Sequence, residues 1–497
     1  MSTRSRTPII LGVSLLVAAI LGVGAFAATK FLGGGTPVAR ALPDSVVALA
    51  AIDMDPGAKQ KVEAIRTLRK FPELRKQLEV NEKDDLRKKI FDEVVKSSPC
   101  RDEVSFGKDV EPWLGDSAAV GAADLGGEKP SPVLALQISD ADAAAKTVEK
   151  LIDCGDGGAD DFSYGFNDDY LIISDGKDNA AKLAERAKKA SLADAEEYSE
   201  WHDKAGGDGI VNFFVSKDAA ELISETLPPE MAAQLGAAEQ TLAQFKGMAG
   251  ALRFADGGVE LEMASSGGQD VISDGLGDTL SGLPQDTALA LGFRAPQDYA
   301  DKMVEQFGSL TGDSKQLIDM AETQTGLNLP EDLTTLLGES VVLALGGDAP
   351  ANLNELAGPG DLPLGIKVTG DTDKIEAVVK KAEQRAGSSL ASVGAVQRAE
   401  GDNFVLASSD DYAEAMLEKG SLGEQDAFTR VIPQGDDAAG ALFVNFNSDW
   451  VDAIAQTVKD MGGATTVKEN LKPLGALGIS GWRDGDTSRL LVKLTTD

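Results

Sequence analysis

A hydrolytic apparatus built on imidazole would have to use His202, the one histidine among 497 residues. Serine or cysteine catalysis needs a base held beside the nucleophile. His202 stands in Glu200-Trp201-His202-Asp203, a polar stretch ahead of the strand-like run 210–215, and its setting reads as protein surface. The two cysteines, Cys100 and Cys154, lack the CxxC spacing of redox and zinc sites, and with one histidine no common zinc constellation can be assembled. Residues 155–169 are acidic and glycine-rich, as calcium loops are, but lack the one-three-five spacing and closing glutamate of an EF-hand. They read as a solvated loop. Aspartate and glutamate number 81, so chance carboxylate pairs of the kind a glycosidase uses are inevitable and uninformative. Five tyrosines and four tryptophans give little platform for stacking sugars. Neither Gly33-Gly34-Gly35 nor Gly346-Gly347 has the spacing of a P-loop or a dinucleotide fingerprint. No catalytic, cofactor-binding or metal-binding residue is assigned, and the expected role is non-enzymatic.

The elements that would place any site begin at the N-terminus. Residues 9–28 carry no charge, and at about 1.5 Å per residue they match the roughly 30 Å of a bilayer core. Residues 9–29 are therefore expected to form a transmembrane helix. Arg4 and Arg6 keep the tail 1–8 in the cytoplasm by the positive-inside tendency, which puts the rest of the chain on the outer side of a bacterial cytoplasmic membrane. The competing reading is a signal peptide cleaved after the Ala25-Phe26-Ala27 triplet, with secretion of the remainder. A short linker, 30–41, follows.

Outside the membrane thiols are commonly oxidised, so Cys100 and Cys154 are expected to pair as a disulfide; the alternative is two unrelated buried thiols. A net charge of −34 excludes nucleic acid as a partner, because phosphates must be met by Lys and Arg. It also disfavours anionic lipid headgroups. The acidity reads first as a means of keeping an exported protein soluble. Hydrophobic residues make up 42 % of the chain, far above a disordered composition.

Six blocks recur in one order. Leu42-Pro43 leads into the strand-like run 45–52, and Leu283-Pro284 into 287–293. Residues Asp109 to Ser117 (DVEPWLGDS) precede the run 118–123, and Asp332 to Ser340 (DLTTLLGES) precede 341–345. The run 132–138 with the helical stretch 142–152 matches 363–368 with 373–384. Then 169–174 matches 402–407, 210–215 matches 442–446, and 250–254 matches 478–482. The offsets are similar without being fixed: 363 − 132 = 231 and 338 − 115 = 223. Two tandem copies of one unit are expected, 42–281 and 282–497. A Trp113 replaced by Leu336 at the same place in the motif reads as a core position, and Gly115 and Gly338 as turn residues. In the first copy Val62, Ile65, Leu68 and Phe71 step along one helix face. Short connections between adjacent strands imply antiparallel pairing, hence an α+β fold of sheet with helices packed on it.

The order Leu42-Pro43, Lys70-Phe71-Pro72, Glu111-Pro112-Trp113-Leu114-Gly115-Asp116 and Pro132-Val133-Leu134-Ala135-Leu136 resembles a family of actinobacterial envelope proteins, the three-three-five-two domain-of-unknown-function family. The resemblance implies a single-span protein with a large duplicated outer region and carries no activity. The function expected is an extracytoplasmic envelope protein binding a protein partner or envelope component. Carriage of a lipid or other apolar ligand is the alternative, and a carboxylate-based hydrolase a more distant one.

Overall fold

A computed structural model describes residues 37–53, 58–71, 86–96, 98–127, 129–154, 162–219, 245–266, 275–296, 298–302, 314–348, 356, 361–460 and 471–497. The span expected at 9–29, its tail and most of the linker lie outside the described residues. Among the described residues no helix is long and apolar enough to cross a membrane. The chain divides into two units, Met1–Ser266 and Gly267–Asp497, and both are α+β with antiparallel sheet.

The first unit opens with a short helix α1 (Val38–Ala41) and the strand β1 (Val46–Asp53), then helices α2 (Ala58–Arg69) and α3 (Leu86–Val95). Single turns at Pro99–Asp102 and Phe106–Val110 lead into β2 (Leu114–Ala123) and β3 (Ser131–Ile138). Helix α4 (Ala141–Cys154), the hairpin β4 (Phe162–Asn167) and β5 (Tyr170–Asp175), and helices α5 (Asn179–Ala187) and α6 (Glu196–Lys204) follow, and β6 (Val211–Ser216), β7 (Gly247–Ala255) and β8 (Gly258–Ser266) close the unit. Its hydrogen-bonded order is β8-β7-β6-β1-β2-β3-β5-β4, antiparallel at each step.

In the second unit the elements are α7 (Asp278–Ser281), β9 (Leu289–Arg294), α8 (Ser314–Thr325), α9 (Glu331–Leu337), β10 (Ser340–Leu345), β11 (Leu364–Thr369) and α10 (Thr372–Ala386). Then come β12 (Val396–Glu400), β13 (Asn403–Ala407), α11 (Asp410–Leu417), α12 (Asp426–Val431), β14 (Gly440–Asn445), α13 (Trp450–Asp460), β15 (Leu474–Asp484) and β16 (Thr487–Thr496). The order is β16-β15-β14-β9-β10-β11-β13-β12, the first order with eight added to every strand number.

Register sharpens the correspondence. Ala50 faces Val120, which faces Leu134; Leu291 faces Leu343, which faces Ile366. Hence Leu134 corresponds to Ile366, one position away from the alignment of Pro132 with Pro363. A one-residue slip exchanges the faces of a strand, so the pairing decides which side chains are equivalent. By the same route Phe213 corresponds to Leu442 and Gly250 to Ile479, correcting the block alignments at those strands. The two-residue hairpin turns agree as well: Asp168 and Asp256 have φ of 48° and 49°, and their counterparts Gly401 and Gly485 have 57° and 60°, the left-handed backbone that tight hairpins require.

Helices cover both faces of each sheet. On one face of the first, α1, α5 and α6 enclose Leu42, Tyr170, Leu183, Trp201 and Phe214; on the other, the segment 98–113 and α4 pack around Phe106, Val110, Trp113 and Val148. Of the apolar steps of α2, Val62 is exposed, while Ala64 and Thr67 are buried. Small residues let this helix lie close to the β7–β8 hairpin, where Gln60 Oε1 accepts from the Phe254 N–H and Glu63 Oε2 from that of Gly257. In the second unit α7, α11 and α12 enclose Leu280, Val405, Phe428 and Phe443, and α9 and α10 cover Val368, Ile375 and Phe404 on the opposite face.

Candidate functional site

The DVEPWLGDS motif enters the fold through its first residue. Asp109 accepts hydrogen bonds from Ser105 N (3.0 Å) and from Lys150 Nζ of α4 (2.5 Å). Its counterpart Asp332, with 332 − 109 = 223, accepts from Asn328 N (2.6 Å) and from Lys381 Nζ of α10 (2.6 Å), where 328 − 105 = 223 and 381 − 150 = 231. Both units therefore brace the segment before the second strand against the crossover helix by the same ion pair. The Lys150 hydrogen bond, helped by the Ser105 N–H, holds Asp109 below the usual carboxylate range. At Asp332 burial pushes the other way, and Lys381 with the Asn328 N–H outweighs it.

A second tie repeats in place but not in chemistry. Cys100 and Cys154 form a disulfide between the segment before Asp109 and the end of α4. The equivalent positions are Thr323 and Arg385 (323 − 100 = 223, 385 − 154 = 231), and there Arg385 Nε donates to the Thr323 carbonyl at 2.9 Å, joined by Nη2. Gly326 permits this approach: its φ is +75°, and a Cβ there would lie 2.9 Å from Arg385 Cβ.

Trp113 is buried, and its Nε1 donates to the Asp109 carbonyl at 2.6 Å with Thr147 Oγ1 at 3.1 Å. Leu336 packs at the corresponding place on Ile375 and Phe404. Gly338 ends α9 with φ of 55°, whereas Gly115 lies inside β2 and is no turn residue.

His202 is not a free surface side chain. Its Nε2 lies 3.1 Å from Asp208 Oδ1, and its ring stacks on Tyr198 at 5.4 Å. The His202 hydrogen bond holds Asp208 below the usual carboxylate range, and burial pushes the Tyr198 phenol up to about 12. Nearby, Arg253 Nη1 bridges Glu260 (3.1 Å) and Glu262 (2.9 Å) while Nη2 donates to the Ala205 and Gly207 carbonyls. In the second unit the cross-strand pair at this place is Trp482 with Arg489, whose guanidinium lies 5.5 Å from the indole. The position pairs two long side chains across a hairpin in both units, so it reads as architecture. Among the described residues no group of three or more His, Cys, Asp or Glu is placed to hold a metal ion; residues 155–161 of the acidic stretch lie outside them.

Among the described residues two features of the second unit have no equivalent in the first. Lys367 of β11 is buried where the first unit has Ala135, and its Nζ donates to the Met416 carbonyl in the last turn of α11 at 3.1 Å. Burial pulls this ammonium below its usual value of 10.5. The other feature is a strip of the sheet. Leu291, Leu343 and Ile366 form one cross-strand row and Leu289, Leu345 and Leu364 the next. Leu291 is 44 %, Leu364 40 % and Ile366 37 % exposed. Among the described residues, helices packed on the sheet, as the α+β reading expects, do not cover these side chains. At the same register Val120 of the first unit is 3 % exposed, packed with Ile52, Ala64 and Phe254.

The titrating groups predict stability that rises with pH in two separate windows, one acid and one alkaline. Asp109 and Asp332 have folded pKa values below their usual 3.8. Their stabilisation is complete above that value and lost as pH falls through the folded values. Lys367 acts with the same sign in an alkaline window: between its lowered folded pKa and 10.5 the unfolded chain holds the extra proton, so stability rises with pH there as well. Lys367→Met should abolish the alkaline rise and leave the acid limb unchanged in denaturant unfolding measured across pH. A rise that persists in the variant would assign it to another group.

Two α+β units of antiparallel sheet, each braced by a partly exposed Asp–Lys pair and the second carrying an aliphatic strip, are thus what the chain builds. Residues 9–397 match the family described as protein of unknown function (DUF3352), and the chain belongs to that family. No curated protein and no solved structure matches it.

Proposed function

We propose that the protein is a non-enzymatic envelope protein, held at the outer side of the cytoplasmic membrane through residues 9–29, whose second unit binds an apolar envelope component such as a lipid acyl chain. We also read the two units as copies of one ancestor, on their shared strand order and repeated ion pair. The observation that carries the binding function is the strip formed by Leu289, Leu291, Leu343, Leu345, Leu364 and Ile366, three of them well exposed on a chain of net charge −34. An exposed apolar row on so polar a molecule needs something to cover it. Its six side chains are aliphatic throughout, whereas protein interfaces favour aromatic and arginine side chains and distribute hydrogen bonds across them. An acyl chain asks only for apolar contact. The acidity selects further, favouring a ligand with a neutral headgroup over an anionic one.

Ile366→Asp would put a carboxylate in the middle of the strip. It should weaken binding of a neutral pyrene-labelled alkyl alcohol by at least about tenfold and remove lipid that co-purifies from membranes, seen by native mass spectrometry. Val62→Asp, at an exposed position in the first unit, is the control and should bind as before. Equal binding by the Ile366 variant would remove the strip as the site.

A further inference from the structure

We infer that the strip is one end of a longer band across the sheet of the second unit, and that its ligand is a single flexible apolar chain longer than those of one bilayer leaflet. This rests on the reading of the strip as a binding site. The cross-strand rows do not stop at β9. Leu291 faces Leu442, which faces Ile479 and then Val492, while Leu289 faces Val444, which faces Leu477 and then Leu494. Two unbroken aliphatic rows thus cross β11, β10, β9, β14, β15 and β16 in that order. None of these side chains is buried, whereas neighbours on the opposite face, such as Ala441, Phe443, Ser480 and Leu491, are.

The dimensions of the band choose its ligand. Neighbouring strands lie about 4.8 Å apart, so the five steps from β11 to β16 make a band about 24 Å long. Side chains two positions apart along a strand are separated by about 7 Å, which makes the two rows a pair of ridges with one furrow between them, room for one hydrocarbon chain. Half of the roughly 30 Å bilayer core is about 15 Å, so a chain that fills the furrow outreaches the chains of one leaflet. Each step between strands also turns by roughly 20–25°. A flexible chain follows that twist along the whole band, whereas a rigid polycycle or a flat membrane surface touches only part of it. In the first unit the corresponding positions include Ala48, Ala50, Ala122 and Gly250. There the Phe213 ring lies over Gly250, its Cζ 2.1 Å from where a Cβ would be, so the ridges are interrupted and the band belongs to the second unit.

Displacement of the pyrene-labelled alcohol by unlabelled straight-chain alcohols, on the whole protein, tests the band. An alcohol long enough to fill it, about 24 Å, should compete at least about tenfold better than one of about 15 Å, because each added methylene finds apolar contact. Ile479→Asp puts a carboxylate in the half of the band beyond the strip. In that variant the advantage of the longer alcohol should fall below about threefold while the shorter one competes as before; Val492→Asp, one strand further along the same row, should act alike. A neutral polycyclic alcohol should compete no better than the shorter chain. Equal competition by the two lengths in the natural chain, or an advantage that survives both aspartates, overturns the band and leaves the strip as the site. A polycycle that matches the longer alcohol overturns the assignment to a flexible chain. If no alcohol binds the natural chain, the strip reading fails and the band falls with it.

Discussion

Replacing both Cys100 and Cys154 by serine should lower the stability of the first unit by about 4 kcal/mol, the chain-entropy value for a bridge that closes a loop of this size. The two cysteines lie 54 positions apart, and the loop they close contains β2, β3 and α4, so the reduced unfolded chain regains the freedom of much of the unit. In thermal unfolding a unit of this size moves by roughly 2–4 °C per kcal/mol, which places the expected drop of the first transition near 10 °C (~2–4 °C times ~4). Reduction of the natural chain should give the same shift. The second unit supplies the contrast. Arg385→Ala removes the equivalent tie, and because that tie is a hydrogen bond the expected loss is about 1 kcal/mol. The transition of the second unit should be indifferent to reductant. A first transition that moves by less than about 2 °C on reduction would mean that the unfolded chain already holds the two cysteines together.

How much of this was legible in the sequence depends on the range of the interaction. The paired strands, the tight turns and the pairing of the two cysteines rest on local pattern and on counting, and the structure has them. The Asp–Lys brace escaped notice although its aspartates sit at the head of a recognised motif, because the lysines lie 41 and 49 residues further on, on a helix whose exposed face accommodates lysine anyway. Strand equivalence by proline failed by one position for a similar reason. Pro132 lies inside β3 and Pro363 ahead of β11; a proline marks where a strand can begin, whereas register is set by partners across the sheet. At Val62 the apolar step of α2 points away from the core, because the hairpin that this helix lies against buries Ala64 and Thr67 instead. His202 read as surface because nothing local announces Asp208 or the face of Tyr198. The strip was hidden by its own regularity: alternating leucines read as buried, whereas Leu291 and Ile366 stand exposed.

Trp113→Ala should cost the first unit about 3–5 kcal/mol, the range for truncating a buried tryptophan to alanine. The ring is 3 % exposed and packed among Phe106, Val110, Ile138 and Val148, so the cavity left behind cannot close without moving the segment that carries Asp109. Its Nε1 also binds the Asp109 carbonyl at 2.6 Å, next to the carboxylate that accepts from Lys150, so loss of the indole loosens the ion-pair brace as well as the core. Trp113→Leu installs the residue that stands in the second unit and restores part of the apolar volume without the N–H. It should cost roughly half as much. The two variants together separate packing from recognition. A tryptophan that served a ligand would lose binding on replacement and leave unfolding nearly unchanged, whereas here the unfolding midpoint of the first unit should fall in the order natural chain, leucine, alanine, with binding of the alkyl probe to the second unit unaffected. A Trp113→Ala chain that unfolds within about 1 kcal/mol of the natural one would contradict the core assignment, because no truncation of so buried a ring escapes the loss of its contacts.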